Sequence, residues 1–221
     1  MSTAEKIKAL RKELHRYPEL SGQESATAQR IINFAKQYHP TTIISPIGGH
    51  GLAIVYEFSN DGPCIMIRCE LDALPIEEAN AFEHRSVVKG VSHKCGHDGH
   101  MAIVAGLMSW IEEQSFTKGK IVLLFQPAEE TGQGAPAVLN DPLFAGIQPD
   151  YLFALHNLPG EPLHQIIIVE ERFSATVQSL AIHLQGKQSH ASEPEKGINP
   201  ALAMAFITQR FAELINDDVK D

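Results

Sequence analysis

Ten residues, HKCGHDGHMA at 93–102, hold three histidines, a cysteine and an aspartate around two glycines. Imidazole, thiolate and carboxylate are the groups that bind zinc and similar ions. Taken alone, the stretch fits a metal site, a reactive thiol with a histidine base, or a polar surface loop. Cys95 and His97 stand two apart. In extended backbone such residues point to one side, so both are expected to face one ion, with Gly96 allowing the chain to fold closely. A structural zinc site would need a second close Cys/His pair, and the sequence has none. A catalytic site instead gathers dispersed ligands and keeps a position open for water.

Dispersed partners exist further along. PAEET at 127–131 sets Glu129 beside Glu130, and YLFALHN at 151–157 ends on His156 and Asn157. A lone Glu-Glu pair usually marks a helix entry, where acids suit the dipole. Here it directly follows an apolar strand. One carboxylate can therefore bind an ion while its neighbour stays free as a general base. Asp72 in LDALP is either a turn residue before Pro75 or a support that hydrogen-bonds the outer nitrogen of a ligating histidine. A cysteine nucleophile at Cys95 would leave Glu129, Glu130 and His156 without a role. His15, His39, His50, His84, His164 and His183 read as surface or helix-end residues, and Cys64 and Cys69 as packed core thiols.

These groups need elements to position them. Ile7, Leu10 and Leu14 recur at helical spacing, so 3–16 reads as an amphipathic helix ended by Pro18. ESATAQRIINFAKQY reads as a second helix, and TTIIS and GLAIVYEF as strands joined by SPIGGHG. CIMIRCEL, KIVLLFQ and YLFAL are short, nearly wholly apolar strands separated by helices, one of them expected from Met101 to Glu113. That is the pattern of a mostly parallel sheet buried on both faces and flanked by helices, an α/β fold. Ligands of such sheets sit beyond the carboxyl ends of the strands, where the chemistry-bearing residues fall. Crossovers of roughly 30 residues return the chain to the same edge. From Gln178, QSLAIHLQG alternates like a half-exposed strand and NPALAMAFITQRFAELI reads as a helix. We expect a catalytic α/β domain over 1–175 and the start of a smaller α+β domain over 176–221, which the resemblance carried by the motifs below makes a lid or dimerisation domain.

The whole chain has 221 residues, 43% of them hydrophobic, with a net charge of -9. Scattered Lys and Arg give no basic stripe, which argues against a nucleic-acid partner. Its three cysteines argue against a disulfide framework and for a reducing, cytoplasmic setting. No apolar run is long enough to span a membrane.

Six ordered motifs then carry a resemblance: LRKELHRYPELSGQE, RCELDALPI, SHKCGHDGHMA, LLFQPAEETGQGA, ALHNLPG and GKQSHASEPEKGINPA. The chain resembles the M20 family of metallopeptidases, in particular its amidohydrolase subgroup of aminoacylase-, hippurate-hydrolase- and auxin-conjugate-hydrolase-like enzymes. The resemblance implies two divalent ions, Zn or Mn with Co or Ni as further candidates. It makes Cys95 a bridging ligand, with His97, Glu130 and His156 as further ligands. Glu129 would be the general base and Asp72 a support, and His190 in SHAS would reach the substrate. The implied substrate is an N-acyl amino acid or small peptide-like amide, and the implied assembly a homodimer. Two residues depart from the subgroup, which more often carries Asp at Glu70 and Ala at Cys69. Family members also run well beyond residue 221 and supply a last histidine ligand there. The alternative reading is thus a truncated, non-catalytic metal-binding fragment or pseudoenzyme.

Overall fold

Ser2 starts the first helix with a reciprocal cap. Its hydroxyl accepts the Glu5 N–H, and the Glu5 carboxylate accepts the Ser2 N–H, which satisfies donors that a helix start leaves free. The structure is a computed structural model and describes residues 1–59, 61–170 and 180–214. After α1 (Thr3–Arg16) come α2 (Ser25–Ala35), β1 (Thr42–Ile47), β2 (Gly51–Glu57) and β3 (Cys64–Glu70). Next in the chain are α3 (His97–Glu113), β4 (Lys120–Gln126), a short α4 (Gly134–Leu139) and β5 (Tyr151–Ala154). The chain divides into two compact units, Met1–Glu161 and Pro162–Asp221. The boundary expected at 175 lies outside the described residues.

The first unit carries a mixed sheet in the order β1-β2-β4-β3-β5. β3 lies parallel to both β4 and β5, while β1, β2 and β4 are antiparallel neighbours. Alternate residues of β4 feed two cores, as period-two side chains must. Leu123 and Phe125 pack with Leu14, Ile31, Met101 and Met108 beneath α1, α2 and α3. Val122 and Leu124 pack on the opposite face with Ile47, Val138 and Ile147. The centre of the sheet is therefore buried on both sides, as its apolar strands require. Because β3, β4 and β5 run in one direction, their carboxyl ends share a rim, and Glu70 pairs in register with Gln126.

Three expectations need correction. β5 is not buried: Tyr151, Leu152 and Phe153 are each more than half exposed, and among the described residues β5 is an edge strand paired to β3 alone. α3 begins at His97 rather than Met101. Gly96, at φ +96°, turns the chain straight into the helix, a conformation that suits glycine. Finally, the alternating stretch from 180 to 186 forms no strand among the described residues, and residues 178 and 179 lie outside them. In the second unit the sole pairing described near it is the bridge of Lys187 to Ile198, ahead of α5 (Ala201–Ala212). No described helix is long and apolar enough to cross a membrane.

Candidate metal centre

The rim gathers residues that are far apart in sequence. Donor atoms of Cys95, His97 and His156 all lie within 4.8 Å of one another, as do those of His97, Glu129 and Glu130. His97 belongs to both groups. Its Nε2 is 3.7 Å from Glu130 Oε1 and 3.8 Å from Glu129 Oε2, and Cys95 Sγ is 3.4 Å from His156 Nε2. Cys95 and His97 do not meet through extended backbone. The left-handed turn at Gly96 throws His97 onto the first turn of α3 and leaves Cys95 just outside it. A Cβ at Gly96 would also come within 2.5 Å of Asn157 Oδ1, so the same glycine lets the segment after β5 close against the motif.

Asp72 sits beside this group. His97 Nδ1–H donates to the Asp72 backbone carbonyl at 2.8 Å, with the Asp72 carboxylate 3.5 Å away. That bond fixes the tautomer and turns the Nε2 lone pair toward Glu129 and Glu130. Asp72 Oδ2 accepts from Ser21 Oγ at 2.7 Å and from the Glu130 N–H at 3.0 Å. Burial pushes the Asp72 carboxyl up, but the adjoining His97 ring, the Ser21 hydroxyl and the Glu130 N–H outweigh it and hold the group at about 2.

His97 Nε2 and Glu130 Oε1 are buried with no hydrogen-bond partner. Two orphaned acceptors facing each other cost free energy unless something electropositive joins them. Thiolate, imidazole and carboxylate together suit a zinc- or manganese-class ion, so the residues fit a divalent metal. The Cys95 thiol is pushed up to about 12, first by burial and then by Glu130 and its fellow carboxylates Glu129 and Glu70. A nucleophilic cysteine is favoured by an electropositive setting that lowers its pKa, whereas Cys95 lies near the carboxylates Glu130, Glu129 and Glu70. Burial also raises the Glu129 carboxyl above the usual range.

Several residues carry no role that the sequence revealed. His100, one turn after His97, joins Glu70 and His97 in a third group of close donor atoms. Its Nδ1 lies 2.8 Å from Glu70, and its Nε2 lies 2.7 Å from Asn157 Oδ1 and 3.1 Å from the Asn157 backbone nitrogen. Glu70 is also paired with Arg68. The i, i+3 spacing of His97 and His100 was the available signal. On the other side of α3, Asp98 accepts from Arg11 Nε at 2.7 Å and from His15 Nδ1 at 2.9 Å. His15 Nε2 reaches Glu78 at 2.8 Å, and Lys94 also pairs with Glu78. His15 does sit in the last turn of α1, but it is buried rather than on the surface. His190 lies in an exposed turn of the second unit, its Nδ1 2.7 Å from Ser192 Oγ.

Known proteins resemble this chain along most of its length. It is 35% identical to an N-acetyl-L-cysteine deacetylase of Bacillus subtilis, over 99% of this chain and 52% of that protein. It is 30% identical to the hippurate hydrolase of Campylobacter jejuni, over 95% of this chain and 54% of that one. Among solved structures it resembles the Bacillus subtilis YXEP protein, described as a dinuclear metal binding peptidase from the M20 family. The TM-score is 0.64 and the identity 33%, over 72% of this chain and 44% of that one. The chain spans about half the length of the curated relatives it matches. With residues 66–219 matching the family as a whole, the chain belongs to peptidase family M20/M25/M40.

Proposed function

We propose that this chain is the metal-binding part of an amidohydrolase that cleaves N-acyl amino acids or small peptide-like amides. The observation that carries the reading is the facing pair of orphaned acceptors, His97 Nε2 and Glu130 Oε1, beside a Glu129 whose pKa burial has raised. Cys95, His97, Glu130 and His156 would hold two divalent ions. When bound, such ions polarise a carbonyl and make a water more acidic. Glu129 takes a proton from the attacking water and passes it to the leaving nitrogen, as the C–O bond forms and the C–N bond breaks. A carboxylate with a raised pKa suits both proton transfers. Asp72 holds the His97 ring in the required tautomer. His190 enters the reading on its motif alone, as a donor to the developing oxyanion. The names of the relatives, a deacetylase of N-acetyl-L-cysteine and a hippurate hydrolase, support an N-acyl amino acid as substrate. A reducing cytoplasm and a homodimer complete the proposal, the first consistent with three free cysteines.

Metal titration beside an amine-release assay on a panel of N-acyl amino acids, with the protein at its natural length, tests the proposal. Two tightly held ions and amine release support the reading. One weak ion and no product would show a non-catalytic metal-binding protein instead.

A further inference from the structure

Glu24 is fully buried and has no place in the chemistry above. It stands just ahead of α2, where a polar side chain ordinarily accepts from the helix's first N–H groups, yet it makes no such bond. Glu19 serves the start of α2 instead, accepting the Thr27 N–H at 2.6 Å and the Thr27 hydroxyl at 2.8 Å. Glu24 Oε1 reaches across the fold and accepts the Ala128 N–H at 2.7 Å. Ala128 has φ +46°, in the left-handed region where an L-residue's Cβ crowds a carbonyl oxygen. Glu129 and Glu130 come directly after it.

Strained backbone persists where the surroundings over-determine it, and here the ties can be named. Gly134 N–H donates to the Ala128 carbonyl at 3.0 Å, and Glu130 N–H donates to Asp72 at 3.0 Å. Both act downstream of the Ala128 Cα. The peptide plane whose rotation changes that φ is held at its N–H by Glu24 at 2.7 Å and at its carbonyl, that of Pro127, by the longer 3.4 Å bond from Gln126 Nε2; the Glu24 bond is the shorter of the two. We infer that Glu24 is a positioning residue: its carboxylate pins the amide of Ala128 in the left-handed turn, and the turn in turn aims Glu129 and Glu130 at His97. This rests on the reading of Glu129 as base and Glu130 as ligand. It also gives the LSGQE segment of the N-terminal motif a structural role. Ser21 grips Asp72, and Glu24 grips the turn that Asp72 meets from the other side.

Three variants of the natural-length protein test it: Glu24→Ala, Glu24→Gln, and Glu24→Ala combined with Ala128→Gly. A misplacement near 1 Å can lower turnover by about 10²-fold, so Glu24→Ala is expected to lower kcat at least about tenfold while KM stays within about threefold. Glu24→Gln keeps an oxygen acceptor for the amide and should retain most of the activity. Glycine adopts positive φ without the Cβ penalty, so Ala128→Gly should recover much of what Glu24→Ala loses, a non-additive coupling. Exchange of the Ala128 amide hydrogen, followed by NMR, reads the same bond without turnover: faster in Glu24→Ala, unchanged in Glu24→Gln. Wild-type turnover and exchange in Glu24→Ala overturn the inference. So does a loss that neither Gln nor the added glycine recovers, which would mark Glu24 as packing alone. Should the unmodified protein release no amine from any substrate, the reading of Glu129 fails, and the exchange arm still decides whether Glu24 pins the turn.

Discussion

His97 and Asp98 are neighbours on the first turn of α3, yet they face opposite kinds of surroundings. On the His97 flank, acceptors outnumber donors: His97 Nε2 and Glu130 Oε1 have no partner, and Cys95 lies among carboxylates. On the Asp98 flank, cation and anion alternate through Arg11, Asp98, His15, Glu78 and Lys94. The His97 flank holds unpartnered acceptors from three different segments facing one another. The Asp98 flank keeps orphans of its own, Asp98 Oδ1 and the His93 ring nitrogens, but its ion pairs tie α1, α3 and the long segment after β3 together. The two flanks therefore differ in how far ion pairs within the chain occupy them, and the proposed function assigns the sparsely paired one to chemistry and the densely paired one to stability.

Four experiments press on this division. The largest effect is expected for Glu129→Gln. General-base catalysis contributes about 10²- to 10⁴-fold, and turnover should fall by that order while metal content by elemental analysis and the unfolding midpoint stay near wild type. Retained turnover would remove Glu129 from its role. Asp98→Ala strikes the opposite flank. Taking one member from a buried charge cluster typically costs about 3–5 kcal/mol, to be read from urea unfolding, with the kinetics of the remaining folded protein little changed. A stable variant that turns over slowly would blur the two flanks into one.

Gly96→Ala sits between them. It would force alanine to φ +96° and bring its Cβ toward Asn157. Strain of this kind costs about 1–3 kcal/mol, and because His156 adjoins Asn157, metal affinity measured by calorimetry should weaken along with stability.

The smallest effect concerns pH. The hydrogen bond to Asp98, helped by Glu78, raises the pKa of His15 against the opposing effect of burial. A raised folded-state pKa stabilises fully below the unfolded value near 6.5, and the contribution is lost as pH climbs through the folded value. The destabilisation caused by His15→Gln should therefore be larger at pH 6 than at pH 9. An equal cost at both would mean that His15 is held as a neutral ring.

How much of this was legible in the sequence depends on the range of each interaction. The spacing of Ile7, Leu10 and Leu14 is local, and α1 spans the residues it indicated. The apolar runs ending at Glu70 and Gln126 revealed both strands and, through their common direction, the rim on which the ligand candidates meet. The exposure of β5 was not legible, because nothing in YLFA distinguishes a central strand from an edge. The start of α3 was misplaced because Gly96 reads equally as loop or as a turn into a helix, and the distant Asn157 that a Cβ there would strike is not visible from local sequence. Arg11 and His15 gave no sign of meeting Asp98, nor Glu24 of meeting Ala128. Those pairings depend on how helices lie on the sheet, and no periodicity encodes that.

Asp72 carries a last consequence. One of its oxygens is shared by a hydroxyl from the segment before α2 and an amide from the turn after β4, while its own carbonyl orients His97. A designer who transplanted only the candidate ligand side chains to another scaffold would leave behind the joint that sets their mutual angles. The smallest portable unit is the end of β3 together with both segments that lean on it.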